Sequence, residues 1–189
     1  MQLQDAIRLR RSTAPITDKA PSDEELLALV RLAAHAPDHA ALRPWRLVTV
    51  RGAERARLGA AMAAGFGEAP GSAEATRTAA KADKAPLLIG VVVSYVEHPK
   101  VPRHEQLAAT MALVTTLELL LFEAGYTAML RSGPPAVLPE VQEAMGVGPD
   151  ELLLGWLYVG GTARPDVGAG EVTVIEPEDL SAHLGPMPA

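Results

Sequence analysis

Cysteine is absent from the 189 residues, which excludes disulfide bonds, thiolate nucleophiles and cysteine-ligated metal centres. An excess of positive charge is also missing, since the formal net charge is -6. The chain therefore has no general basic field with which to bind nucleic acid or an anionic membrane surface. Four familiar signatures do not occur either: a G-x-G-x-x-G that opens a helix, a Walker loop, H-E-x-x-H and G-x-S-x-G. These absences exclude nucleic-acid binding and the more easily recognised catalytic classes.

What the chain does contain is typical of one globular domain. Hydrophobic residues make up 48% and charged residues 21%, which is enough apolar surface to offset the entropy of ordering. There is no internal repeat and no linker long enough to divide the chain, so we expect residues 1–189 to form a single domain. The first residues lack the apolar core of a signal peptide and include Asp5, so a cytoplasmic location is expected.

Hydrophobic periodicity predicts an alternation of helices and strands. It places helices over 3–7, 22–36, 58–64, 105–124 and 141–145, and strands over 45–50, 87–93, 126–130 and 152–159. Ser22 and Glu25 have capping-box spacing, and Pro37 should end the helix that they begin. The continuous apolar run 87–93 predicts a central strand covered on both faces, and 58–64 a surface helix.

The segment 105–124 is the longest predicted helix and is apolar on most of its circumference. We expect it to be buried nearly all round, in the core or at a dimer seam. Glu118, Glu123 and three threonines argue against a membrane span. Glu118 is either functional or part of an ion pair across a dimer seam. By contrast, residues 168–189 are rich in Pro and Gly and cannot build a core alone, so they are interpreted as an arm that packs on something else.

Two short cationic clusters each lie at the end of a predicted element. Arg10-Arg11-Ser12 follows the first helix, and Arg131-Ser132-Gly133 follows a strand. The arginines of the first cluster could simply complement the negative end of that helix. Alternatively, guanidinium groups and hydroxyls bind phosphate or an anionic ring, and glycine permits close backbone approach to a ligand. The repetition favours one shared anionic ligand.

Histidines 35 and 39 have the spacing of a helical metal pair, but Pro37 should turn them apart, so no metal site is expected. His39 alone is more typical of a surface or capping residue.

Together these pieces resemble the nitroreductase family, in particular its minimal single-domain members, over essentially the whole chain. The resemblance lies in the order and spacing of Arg10-Arg11-Ser12, Ala36-Pro37-Asp38-His39, Pro44-Trp45, Lys100-Val101-Pro102-Arg103, Glu105-Gln106, Gly125-Tyr126, Arg131-Ser132-Gly133 and Leu157-Tyr158-Val159-Gly160. It implies an α+β fold with a mixed central sheet flanked by helices. It also implies an intertwined homodimer with FMN at the subunit interface, the long helix at the dimer core and the 168–189 arm on the partner subunit.

The resemblance further implies an oxidoreductase in which NADH or NADPH gives a hydride to flavin N5 and leaves before the acceptor arrives. Nitroaromatics and quinones are the typical acceptors. Because the flavin carries the chemistry, no catalytic side chain is required. The implied FMN-binding residues of one subunit are Arg10, Arg11, Ser12, Arg131, Ser132 and Gly133, with His35 and His39 from the other. The implied nicotinamide-cofactor stretch is Leu121, Phe122, Glu123, Ala124, Gly125 and Tyr126.

Two alternatives remain open: a protein that stores or shields flavin without useful turnover, and a related flavin chemistry such as reductive dehalogenation or flavin fragmentation. The sequence also departs from the family pattern at three places. Ala14 and Pro15 stand where larger members commonly have a lysine, His35 where an arginine is expected, and Leu130 where a tryptophan is expected. These departures leave open which residue faces flavin N1, although Arg10 or Arg11 is the candidate.

Overall fold

A four-stranded antiparallel sheet organises the protein in the computed structural model, which describes residues 2–14 and 17–161. The predicted 168–189 arm lies outside the described residues. The strands are β1 (Trp45–Arg51), β2 (Leu87–Ser94), β3 (Tyr126–Arg131) and β4 (Glu151–Gly161). The helices are α1 (Leu3–Leu9), α2 (Asp23–Ala33), α3 (Ala53–Gly65), α4 (Ala73–Ala79), α5 (Arg103–Glu123) and α6 (Pro139–Ala144), with 3₁₀ turns at His39–Ala41 and Pro134–Val137.

The strand order is β1-β2-β4-β3, so β2 and β4 are the inner strands and β1 and β3 the edges. The α+β class is confirmed. The sheet itself differs from the expected mixed one, because every pairing among the described strands is antiparallel. Strands β2 and β3 run in the same direction, but they are separated in the sheet by β4, which runs opposite to both. No parallel pairing arises within residues 2–14 and 17–161.

Strand β2 is covered on both faces, as predicted. Leu87, Ile89 and Val91 pack in one hydrophobic cluster with residues of α2 and α5. Leu88 and Val92 point the other way, into a cluster with residues of α3 and α6. Alternate residues of a strand face opposite sides, so two buried faces require an uninterrupted apolar run.

The helices on the second face correct two expectations. Leu58 and Met62 of α3 are buried, so this segment is a core helix and not merely a surface one. Helix α4 was not predicted, because its short alanine- and threonine-rich sequence has little periodicity. The signal for α4 is its N-cap, where the Ser72 hydroxyl accepts a hydrogen bond from the Ala75 N–H. The Ser22 cap of α2 was predicted and is confirmed, with the Glu25 N–H donating to Ser22 Oγ at 3.1 Å.

Helix α5 is buried on one side only. Seven of its 21 residues are buried, including Leu113, Leu117 and Leu121, so the expectation of burial nearly all round is wrong for the single chain. The core of one protomer can cover only one face of a helix that packs on its sheet. Among the described residues α5 alone is long and apolar enough to cross a membrane, with a mean hydropathy of 1.4. A core helix meets the same criteria, so this is weak evidence for a span.

Candidate functional site

The first cationic cluster lies beside edge strand β3. The segment after α1 is tied to that strand by two hydroxyls: Thr13 Oγ1 lies 2.8 Å from Thr127 Oγ1, and Thr127 Oγ1 donates to the Thr13 carbonyl at 3.1 Å. Thr127 is buried. These hydrogen bonds fix the chain that carries Arg10, Arg11 and Ser12 against β3.

Glu118 of α5 is electrostatically coupled to this cluster and to the end of β3. Its carboxylate lies near the backbone N–H of Leu130 and within electrostatic reach of the Arg10 guanidinium. Burial raises the pKa of Glu118, while Arg10 and the Leu130 N–H act in the opposite direction. Leu130 directly precedes Arg131, so Glu118 lies near the start of the second cluster as well.

The Arg131 side chain lies on the face of β3 opposite to α5 and Glu118. Tyr126 and Ala128 of β3 pack in the α5 cluster, and by alternation Arg131 points to the opposite face, where its guanidinium lies 5.2 Å from the centre of the Tyr158 ring. The exposed backbone of Ser132 and Gly133 continues from this point. The two clusters therefore flank one strand end.

The guanidinium N–H groups of Arg10, Arg11 and Arg131 differ in whether they already form hydrogen bonds within the chain. Arg11 Nη1 donates to the carbonyls of Arg8 at 2.6 Å and Arg10 at 2.8 Å, at the end of α1. Arg11 thus complements the negative helix end, the alternative that the sequence left open. Arg10 Nη1 makes one long hydrogen bond, 3.4 Å, to Ser12 Oγ. The Arg131 guanidinium lies over the Tyr158 ring and, within the described part of the chain, forms no ion pair.

Two glycines shape the backbone at this strand end. Gly155 of β4 has φ +139°, and a Cβ there would collide with the carbonyl oxygen of Arg131. Glycine at this position lets β3 and β4 approach closely. Gly133 has φ +135°, and the nearest atom to a Cβ there would be Pro135 Cδ at 4.0 Å. The Gly133 backbone is therefore open on one side, as a close approach to a ligand requires.

The two histidines do not join these clusters within one chain. His39 Nδ1 lies 2.7 Å from Glu105 Oε2, in the first turn of α5. Glu118 is thirteen residues further along that helix, which at 1.5 Å per residue corresponds to about 20 Å. His35 is exposed beyond the end of α2. In the described segments no group of three or more potential metal ligands comes together.

The turn that carries His39 is strained. Ala40, Ala41 and Arg43 have φ values of +62°, +52° and +49°, in a region that side chains other than glycine rarely adopt. Asp38 stabilises the turn, since its Oδ2 accepts the Arg43 N–H at 2.7 Å. Concentrated backbone strain of this kind is typical of functional loops.

The stretch with an implied nicotinamide role forms the end of α5 and the start of β3. Leu121 is fully buried in the core. Tyr126 is 2% exposed and its hydroxyl donates to both Glu25 oxygens, at 3.0 and 3.1 Å. Only the residues between them, Phe122 to Gly125, are accessible enough to contact a ligand in the single chain.

Sequence reasoning did not single out Thr127, Gly155 or Tyr158 as residues that organise this region. Alternation along β4 could have placed Tyr158 beside Arg131 only if the β3–β4 register were known. Glu118 was noticed as a charge in an apolar helix, but its partners Arg10 and Leu130 are distant in sequence. These contacts depend on tertiary structure.

Comparisons with known proteins give a consistent result. The model of the Nitroreductase family matches residues 7–161. The "Putative NAD(P)H nitroreductase YdjA" of Escherichia coli (strain K12) is 33% identical over 160 residues, which cover 82% of this chain and 87% of that protein. The crystal structure of a nitroreductase-like family protein from Bacillus cereus has a TM-score of 0.80 at 25% identity, covering 100% of this chain and 97% of the other. The FMN and NADPH-dependent nitroreductase NfnB from Sphigopyxis sp. strain HMH has a TM-score of 0.70 at 19% identity over the whole of both chains, a likeness of fold.

Proposed function

The chain belongs to the nitroreductase family, and from this premise we propose that it is an FMN-dependent NAD(P)H oxidoreductase. Its acceptors are nitroaromatics, quinones or similar small molecules, and it works as a cytoplasmic homodimer. The names of its relatives support the cofactors, since YdjA carries the name of an NAD(P)H nitroreductase and NfnB is FMN and NADPH-dependent.

The observation that carries this proposal is that the two cationic clusters flank the end of β3. Thr13 ties the first cluster to the strand, and Arg131 of the second stands at its last position. FMN presents phosphate and ring carbonyl oxygens, which need hydrogen-bond donors and positive charge. Arg10, Ser12 and Arg131 supply such donors, and the open backbone at Gly133 allows close approach. The donor chemistry of these residues therefore fits FMN.

When bound, FMN supplies the centre that accepts a hydride from NAD(P)H and later passes electrons to the acceptor. The residues of this chain bind and orient. Arg10 places a positive charge where it favours an anionic ligand, and its Nη1 donates to Ser12 Oγ at 3.4 Å. The N–H groups of Ser132 and Gly133 are the candidates for fixing the plane of the ring. Arg11 acts chiefly on the end of α1.

A homodimer would complete the site. His39 lies about 20 Å along α5 from Glu118, by the helical rise, so it reaches the clusters more readily from a second subunit. Leu3 and Ile7 of α1 are 66% and 58% exposed, and one side of α5 is only half-buried. An apolar surface of this kind is typical of an interface between copies. We propose that the 168–189 arm packs on the partner subunit and that His35 and His39 approach FMN across the interface.

The test combines cofactor retention with turnover. The purified chain should retain about one FMN per subunit and oxidise NADH or NADPH only when an acceptor such as a nitroaromatic or a quinone is present. Arg10→Ala and Arg131→Ala should each lower FMN retention, whereas Arg77→Ala should not, because Arg77 is an exposed partner of Glu74 on α4. Full retention in both variants would remove these two arginines from the site.

Other results would assign another function. Bound FMN that neither nicotinamide reduces would indicate storage or shielding. Turnover that releases halide, or that breaks the flavin ring, would indicate a related flavin chemistry on the same fold. A dimer of the expected mass in solution supports a shared site, and a monomer with full FMN content would contradict it.

A further inference from the structure

Arg131 and Tyr158 form a cation–ring pair at the exposed end of β3. In the β3–β4 register Arg131 is opposite Trp156, which places Tyr158 two residues along on the same face of the sheet. The centre of the guanidinium lies 5.2 Å from the centre of the phenol ring. This distance is within the range in which a cation is attracted to an aromatic face.

The phenol ring is fixed, whereas the guanidinium is at the surface. Tyr158 is 4% exposed and packs among Leu88, Leu153 and Trp156. Arg131 is exposed at the last position of its strand. The buried ring is therefore the anchor of the pair, and the arginine is the partner whose conformational freedom the contact restricts.

The contact with Tyr158 leaves the donors of Arg131 available. The ring face attracts the positive charge of the guanidinium, and no carbonyl or carboxylate oxygen is needed for that contact. The contact with Tyr158 is the only side-chain interaction of Arg131 that the described residues provide, as none of their carboxylates lies within 4.0 Å of it. Arg11 is different, because its Nη1 is already used by two backbone carbonyls.

We propose that Tyr158 is a positioning residue, which holds the Arg131 guanidinium so that its free N–H groups meet a phosphate or ring carbonyl oxygen of FMN. The inference rests on the proposed function, because it takes FMN as the ligand. It assigns to a buried aromatic residue an effect on cofactor affinity that acts entirely through one arginine.

The experiment measures FMN and riboflavin affinity of the flavin-depleted full-length chain by quenching of flavin fluorescence. Tyr158→Phe keeps the ring, whereas Tyr158→Met replaces it with a flexible apolar chain. A cation–ring contact of ordinary strength predicts about two- to fivefold weaker FMN binding for Tyr158→Met. Tyr158→Phe should bind as the parent does. Phe66→Met is the matched control, because Lys81 lies 5.6 Å from the Phe66 ring away from this strand end.

A double-mutant cycle separates positioning from a general effect on the fold. In an Arg131→Gln background Tyr158→Met should cause no further loss, because the group that Tyr158 positions is absent. If Tyr158→Met weakens the binding of FMN but not of riboflavin, the phosphate is the acceptor for Arg131. If it weakens the binding of both equally, the ring carbonyl oxygens are the acceptors. The positioning role is refuted if Tyr158→Met binds FMN as tightly as the parent does. It is also refuted if Tyr158→Met lowers FMN affinity by the same factor in the Arg131→Gln background as in the parent. A parent chain that binds no FMN would instead overturn the proposed function.

Discussion

The charge of Glu151 is expected to stabilise the folded state, and its replacement by glutamine tests this directly. It stands at the start of β4 and receives four hydrogen bonds. Arg46 donates through Nε at 2.8 Å and Nη2 at 2.6 Å, Ser94 Oγ at 2.5 Å and the Gly148 N–H at 2.9 Å. Its side chain is 19% exposed. The network links β1, β2 and β4.

The Arg46 hydrogen bonds are the largest cause that lowers the pKa of Glu151, from 4.5 to about 2, against the opposing effect of burial. Each pKa unit corresponds to about 1.36 kcal/mol, so the network stabilises the folded state by up to about 3 kcal/mol. The folded pKa is the lower one. The stabilisation is therefore fully present above pH 4.5, the unfolded value, and is lost as the pH falls toward 2.

Glu151→Gln should lower the free energy of unfolding by about 2 to 3 kcal/mol at neutral pH, because Arg46 loses its carboxylate partner. Urea denaturation at fixed protein concentration and saturating FMN, repeated from pH 7 to pH 3, measures both effects. The difference between parent and variant should shrink as the pH falls below 4.5. Glu143→Gln, at an exposed position of α6, is the control and should change little. A Glu151→Gln variant as stable as the parent at pH 7, or a difference that does not depend on pH, would refute the reasoning.

Four further substitutions test the site and its scaffold. Arg11→Ala should lower the melting temperature by loosening the end of α1, yet reduce FMN affinity less than Arg10→Ala does. Gly155→Ala should destabilise the fold by about 2 kcal/mol or more and lower FMN content, because its Cβ would collide with β3. Ala41→Gly should raise the free energy of unfolding by about 1 kcal/mol by relieving a left-handed alanine. Glu118→Gln should raise stability at neutral pH, since burial of its charge is unfavourable, and this gain should diminish as the pH falls through the raised pKa.

Thermal unfolding and flavin absorbance of the purified variants measure all four. Equal FMN affinity in the two arginine variants would contradict the division of roles between Arg10 and Arg11. An unperturbed Gly155→Ala variant would show that β4 can move away from the end of β3. An Ala41→Gly variant no more stable than the parent would mean that the turn carries little strain. Lower stability of Glu118→Gln would mean that the electrostatic attraction between Glu118 and Arg10 outweighs the cost of burial.

Local patterns were enough to predict most of the elements. The capping residues of α2, the uninterrupted apolar run of β2 and the helix-ending Pro37 each act within a few residues of the position that they determine. The same reasoning missed α4, which has a cap but little periodicity. It overestimated the burial of α5, because an apolar circumference does not reveal how much of it one chain can cover.

The candidate site was predictable as residue chemistry but not as geometry. The clusters at Arg10 and Arg131 stand out in the sequence because each follows an element end. Their closeness to one strand end does not stand out, because the contact of Thr13 with Thr127 joins residues that are 114 positions apart in the chain. The contrast between Arg11, held by carbonyls, and Arg131, held by Tyr158, likewise appears only when the strands are in register.

The most direct test of the central claim follows the flavin of the purified chain under anaerobic conditions. Addition of NADH or NADPH should bleach the absorbance band of bound oxidised FMN, and a nitroaromatic or quinone added afterwards should restore it. This sequence of two half-reactions is what an FMN-dependent oxidoreductase of this family predicts. A colourless chain that does not take up added FMN would contradict the account, as would bound FMN that neither nicotinamide bleaches.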